Sequence, residues 1–276
     1  MRIRSILPLL PAALLILLVS GVALAKTILG SLGLWSDLGS GQGSLLGFHM
    51  ISKSIGSALG LSLILASVST TLAALLGLGV AYLIHASSRW SKTLAVVIGC
   101  LVITPHLVAA VSFNLLLGDA GFLARFLHPF TTNWPQFVAG PLWLAVILDF
   151  AWKESAFIAL VILASLPREV QDLRLLAATL GAKPNQIALK VLLPSIKPAL
   201  IVSSGLAFIY SIGSYEATWI LGRTFPEPLA NLTFRLFSNS DLSQRPAAYA
   251  SAVLSLIVIA CFAGAMAFFF SKKVNR

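Results

Sequence analysis

The chain is written in long apolar blocks. Residues 58–84 and 247–270 each run without one charged side chain. About 20 apolar residues in a helix cross a hydrocarbon layer roughly 30 Å thick. Lipid offers the backbone no hydrogen bonds, so only helices or closed barrels can span it. A barrel would show segments of about ten residues with alternating polarity, and these blocks do not alternate. The sequence is 58% hydrophobic and 10% charged, where a soluble domain carries about 25% charged residues. The expected fold class is therefore all-α, a polytopic membrane protein.

Six transmembrane helices are read, at about 6–25, 58–84, 94–117, 137–165, 198–222 and 247–270. Residues 30–56, rich in Gly, Ser and Leu, read as an external connector with room for a short surface helix. The expected organisation is an N-terminal membrane anchor and connector over 1–56, followed by a transmembrane domain over 57–276. The first block also resembles a signal peptide, with Ala23-Leu24-Ala25 before Lys26 as a cleavage site. Its apolar run is long for that role and prolines break its start, so an uncleaved anchor is expected.

The net charge of +10 raises nucleic acid as a partner. The basic residues sit mostly at block ends, where orientation and anionic lipid headgroups account for them. No nucleic-acid partner is expected; the bilayer is. One set of loops holds Arg2, Arg4, Arg89, Lys92, Arg168, Arg174, Lys183, Lys190, Lys197, Lys272, Lys273 and Arg276. The opposite set holds only Lys26, Lys53, Arg125, Arg223, Arg235 and Arg245. Positive loops stay inside, so both termini and the 166–197 loop are expected on the cytoplasmic side. Cys100 and Cys261 lie in apolar blocks, with no His or Cys at metal-ligand spacing. Buried free thiols, no disulfide and no metal site are expected.

The 166–197 loop has its own architecture. Leu166-Pro167 closes the fourth block, and residues 168–180 read as a helix with Glu169 and Asp172 in its first turns, where the dipole favours acids. Leu173, Leu176, Ala177 and Leu180 form one apolar face at helical spacing. Gly181 stands where a left-handed cap belongs, and Pro184 suits the first position of a second helix running to about Leu193. Pro194 and Pro198 are expected to mark the return into the membrane. An apolar knob with a basic rim suggests a partner; the plainer reading is an amphipathic connector on the bilayer surface.

This loop resembles the cytoplasmic motif of permease subunits in binding-protein-dependent ABC importers: E-A-A, three residues, G, nine residues, I, one residue, L-P. Here Leu175-Leu176-Ala177 stands at E-A-A, then Ala178 and two more residues lead to Gly181 and Ala182. Val191 stands for the Ile, and Leu193-Pro194 matches. Trp152-Lys153-Glu154 with Phe157 resembles the end of the preceding family helix. The likeness covers about 57–270 and departs from the pattern where Leu175 replaces Glu. It implies a coupling helix between the fourth and fifth spans, docked on a separate ATP-binding ABC subunit. It also implies a second permease subunit, identical or sister, and an extracytoplasmic solute-binding protein. ATP would serve the partner; the chain has no G-x-x-x-x-G-K phosphate loop. The implied location is the inner membrane, and the implied function is solute passage without catalysis.

Charges inside the blocks carry the remaining signal. Asp149, Lys153 and Glu154 fall in the fourth, and Glu216 in the fifth. Such charges are costly in lipid and face a bundle interior or a wet cavity. Asp149 and Lys153, four apart, could pair, or the group could line the translocation path. His106 is expected as a packed or wet neutral residue. Trp134, Trp143, Trp152 and Trp219 suit span ends and packing. The external stretch 223–246 reads either as a docking loop for the binding protein or as a plain connector. The rival function is an ion-gradient-driven secondary transporter relaying charge through Asp149, Lys153, Glu154 or Glu216. A membrane-embedded enzyme is weaker, since no Ser-His-Asp or H-E-x-x-H arrangement is present.

Overall fold

A computed structural model describes residues 10–35, 43–86, 91–130, 133–166 and 168–274. Arg2, Arg4, Arg89, Pro167 and Arg276, and the side chains of Arg168, Glu169, Lys272 and Lys273, lie outside the described set.

Among the described residues every regular element is helical. The chain runs through α1 (Leu10–Ser31), α2 (Leu46–Ala86), α3 (Ser91–Ile103), α4 (His106–Leu117), α5 (Phe122–Leu127) and α6 (Leu144–Ser165). There follow α7 (Arg168–Thr179), α8 (Pro184–Ile187), a π-helical turn (Ala188–Leu192), α9 (Leu193–Gly213) and α10 (Glu216–Leu221). Last come α11 (Leu229–Phe237), a 3₁₀ turn (Leu242–Gln244) and α12 (Arg245–Val274).

Among the described residues, five segments are long and apolar enough to cross a membrane: Leu10–Ser31, Leu46–Ile84, His106–Leu127, Ala188–Gly213 and Leu242–Phe268. The 22-residue α6 matches them in length but carries Asp149, Lys153 and Glu154. Several expected boundaries move. The stretch 30–56 is not one connector: α1 continues through Ser31, and α2 starts at Leu46 and runs for 41 residues. At 1.5 Å per residue α2 is about 60 Å long, twice the hydrocarbon thickness. The third block breaks at Thr104–Pro105, because proline has no N–H for the helical ladder. Residues 133–143 are not helical, so the fourth block begins at Leu144. The fifth begins before Pro198, at Leu193, and breaks at Ser214. Pro194 interrupts nothing, since it sits in the first turn of α9. Cys100 and Cys261 are free, as expected, but exposed rather than buried. A thiol behaves as a small hydrophobe, which suits an outward apolar face.

The chain divides into two compact units. The first, Met1–Leu59 with Glu227–Ala260, is built on Ile51, Ala58, Leu229, Leu232, Leu236 and Ala247. Within it the part of the 223–246 stretch from Glu227 onward is more than a loop. Leu229, Leu232 and Leu236 recur at helical spacing and are buried, making α11 part of a core. Both nitrogens on one edge of the Arg235 guanidinium donate to Glu227, and these hydrogen bonds raise the arginine above its ordinary pKa.

The second unit, Gly60–Pro226 with Cys261–Arg276, is organised by α6, which packs against α3, α4, α9 and α10. Alanines and serines on α6 (Ala151, Ser155, Ala156, Ala159) are buried and let neighbours approach. A Cβ on Gly77 of α2 would lie 2.8 Å from the Ser155 carbonyl and 3.0 Å from the Ile158 Cβ, so only glycine fits there. The non-helical stretch before α6 is tied down by Ala139 N–H to Leu221 O (2.8 Å) and Ala145 N–H to Phe137 O (3.1 Å). Irregular backbone at such a place is tolerated because protein partners satisfy it.

Candidate functional site

The elbow forms as its residues require. The Gly181 N–H donates to Ala178 O, and the Ala182 N–H to Ala177 O, each at 3.0 Å. Those two bonds make a Schellman cap, which needs a left-handed residue, and Gly181 has φ +81°. The next helix starts three residues later. Pro184 holds its first position, and Gln186 reaches back so that its Oε1 accepts the Lys183 N–H at 2.9 Å. This is half of a capping box, a role for Gln186 that sequence reading missed although the spacing carried it.

Beyond α8 the chain does not stop. The π turn Ala188–Leu192 leads directly into α9, with Leu193 N–H donating to Ala188 O. Ile187 and Leu192 are buried, whereas Lys183, Leu189 and Lys190 are exposed. The leucines of α7 and of the cap after it are uncovered, though Val170 is buried: Leu173 is 50% exposed, Leu176 58%, Leu175 66% and Leu180 80%. Gly181 also opens to free space, with nothing within 4 Å of a built Cβ. Ala177, Ala182, Val191 and Leu193 are half-buried, and Ala178 and Pro194 exposed. A cavity of about 500 Å³ lies behind the π turn, between Leu78 and Tyr82 of α2, Ile162 of α6 and Leu192 of the turn.

The intramembrane charges are arranged differently from a simple pair. The Lys153 ammonium donates to Leu101 O and to Val102 O (3.0 Å for the latter). Pro105 cannot bond the Leu101 carbonyl, and the lysine takes that place. It caps the C-terminal end of α3, where the helix dipole favours a cation. Asp149, four residues away, is fully buried, and neither of its oxygens accepts a hydrogen bond. Glu154 is also buried, at 6% exposure, and faces a cavity of about 270 Å³. His106, Lys153, Phe157 and Tyr210 line the same space, with the His106 and Tyr210 ring centroids 4.3 Å apart. The His106 Nδ1 is buried without a partner. Glu216 is set apart from this cavity, half-buried at the start of α10.

The tryptophans serve the scaffold. Trp134 Nε1 donates to Leu117 O at 2.9 Å, Trp143 is buried where a Cβ on Gly222 would strike it, and Trp152 packs on Phe113. Trp219 is exposed on α10.

The fold and the elbow define a helical membrane protein with a capped, apolar-faced turn between α6 and α9. The family described as binding-protein-dependent transport system inner membrane component matches residues 73–276, and the chain belongs to that family. It is 29% identical over 201 residues to the Escherichia coli inner membrane ABC transporter permease protein YnjC, covering 71% of this chain and 38% of that protein. It is 27% identical over 154 residues to the Mycobacterium bovis molybdenum transport system permease protein ModB, covering 55% of this chain and 56% of that one. The chain thus spans about half, or less, of the length of these relatives. In a crystal structure of a bacterial alginate ABC transporter with an alginate-bound periplasmic protein, one chain superposes with a TM-score of 0.77. That match covers 97% of this chain and 93% of the other at 16% identity, which establishes a shared fold.

Proposed function

We propose that this chain is the membrane-spanning permease subunit of an ABC importer, providing the solute path and coupling it to ATP hydrolysis on a separate subunit. The observation that carries this reading is the elbow, which lies inside the family match. Its helices are capped on both sides of the turn, its leucines stand uncovered, and its second helix passes into α9 without a loop. An uncovered apolar face of this kind calls for a partner. A push on α8 is transmitted along continuous helix to α9 rather than absorbed by a flexible joint.

In this reading the elbow and both termini face the cytoplasm, following the distribution of Lys and Arg. Leu175, Leu176, Ala177, Ala178, Gly181, Ala182, Val191, Leu193 and Pro194 form or brace the surface that seats in the ATP-binding subunit. ATP is that subunit's ligand. A second permease subunit completes the path, and an extracytoplasmic binding protein delivers the solute. Asp149, Lys153 and Glu154 belong to the interior of the path, and this chain makes and breaks no covalent bonds.

Cysteine crosslinking tests it. A cysteine at Ala182 should be captured by the co-expressed ATP-binding subunit, and labelling of cysteines at Lys183 and Lys190 should require a permeant reagent. Labelling by an impermeant reagent in intact cells would overturn the orientation and the docking together.

A further inference from the structure

The cavity beside Glu154 has a composition that selects its occupant. Two carboxylates, Asp149 and Glu154, stand in this interior beside one ammonium, Lys153. That ammonium already donates to the Leu101 and Val102 carbonyls at the negative end of α3, an end worth roughly half a negative charge. The lysine's charge is shared between that helix end and the two carboxylates, so one ammonium stands against all three and the region is left with an excess of negative charge. Glu154 is at 6% exposure and lines the cavity, with Lys153 lining the same space. Beside it lie three aromatic rings, those of His106, Tyr210 and Phe157, the first two packed on each other with centroids 4.3 Å apart. A carboxylate flanked by aromatic rings suits an organic ammonium, because ring faces attract cations that are too weakly hydrated to prefer water. An oxoanion meets Glu154 head-on, and Lys153, with two of its three N–H groups given to carbonyls, has at most one left to hold it. Sodium would want a shell of oxygen ligands, and the rings supply little of it.

We propose that this cavity binds the charged end of a small organic cation, with Glu154 as its counter-ion and Phe157, Tyr210 and His106 as its walls. The volume of about 270 Å³ lies just below the usual range for ligand pockets, so it holds a fragment such as an alkylammonium group. The inference deepens the transport reading and rests on it for the role of the bound cation as solute.

The test uses the full chain, co-expressed with its partner subunits and placed in nanodiscs. Ethylammonium, tetramethylammonium, sodium and sulfate salts are titrated at fixed ionic strength, and binding is followed by calorimetry and by the shift in Tm. Saturable binding of the ammonium ions, with none from sodium or sulfate, is expected. Glu154→Gln should weaken that binding about tenfold or more, the loss of a charged partner. Phe157→Leu, which leaves every charge in place, should weaken it about threefold through the lost ring face, and it decides the matter if Glu154→Gln does not fold. Sodium binding as well as the ammonium ions, sulfate binding, or unchanged ammonium affinity in a folded variant overturns the proposal. The docking reading is scored separately by the Ala182 crosslink, so failure here with that crosslink intact sinks only the cation site.

Discussion

The elbow and the α6 interior break opposite rules. At the elbow, apolar side chains face outward while the backbone is capped on both sides of Gly181. Inside the bundle, charged side chains are buried, and Asp149 accepts no hydrogen bond. Elements that contradict burial in this way mark where a protein expects something it does not itself contain. The elbow expects a protein surface, since leucines can be covered without electrostatic cost. The interior expects a charge.

The comparison is broken most forcefully at Lys153. Lys153→Met strips the cap from Leu101 and Val102 and leaves both carboxylates without a cation. A loss of about 3 kcal/mol or more is expected, seen as a large fall in Tm in detergent. Asp149→Asn should restore part of it, so the double variant is non-additive; simple additivity would show that the two groups do not interact. Next comes Gly181. Valine there is forced to φ +81°, a strain of about 1–3 kcal/mol, and solute-stimulated hydrolysis should uncouple from uptake. Gly181→Asn, which tolerates the left-handed region, should retain coupling. Normal uptake in the valine variant would show that the cap geometry does not matter. Gln186→Ala should cost about 1 kcal/mol, read as faster amide exchange at residues 183–187 with little change in Tm. The smallest effect on stability belongs to Leu180→Ser. At 80% exposure it should move stability by less than about 0.5 kcal/mol, yet weaken docking of the ATP-binding subunit. A fall in Tm without loss of docking would reverse the assignment.

The elbow was legible in the sequence because its signals are local. Gly181 and Pro184 are conformational specialists, and each sits within a few residues of the bonds it enables. Gln186 belonged to the same grammar, three residues after the Lys183 N–H it accepts. So did Leu229, Leu232 and Leu236, whose helical spacing was present in a stretch read as a loop. The interior was not legible for a different reason. Spacing along α6 offered Lys153 its neighbour Asp149, but the lysine's actual partners are carbonyls about fifty residues away in sequence. Only the break at Pro105, brought against α6 by packing, made them available.

The π turn at Ala188–Leu192 has a further consequence. Successive residues of an α-helix advance by about 100°, so one residue more or fewer in that turn would rotate everything beyond it by that angle. Ser203, Gly205 and Tyr210 would then point elsewhere around the α9 axis. The widened turn therefore works like the keyway on a shaft: it sets the heading of the rod's far end, whatever force arrives at the near one.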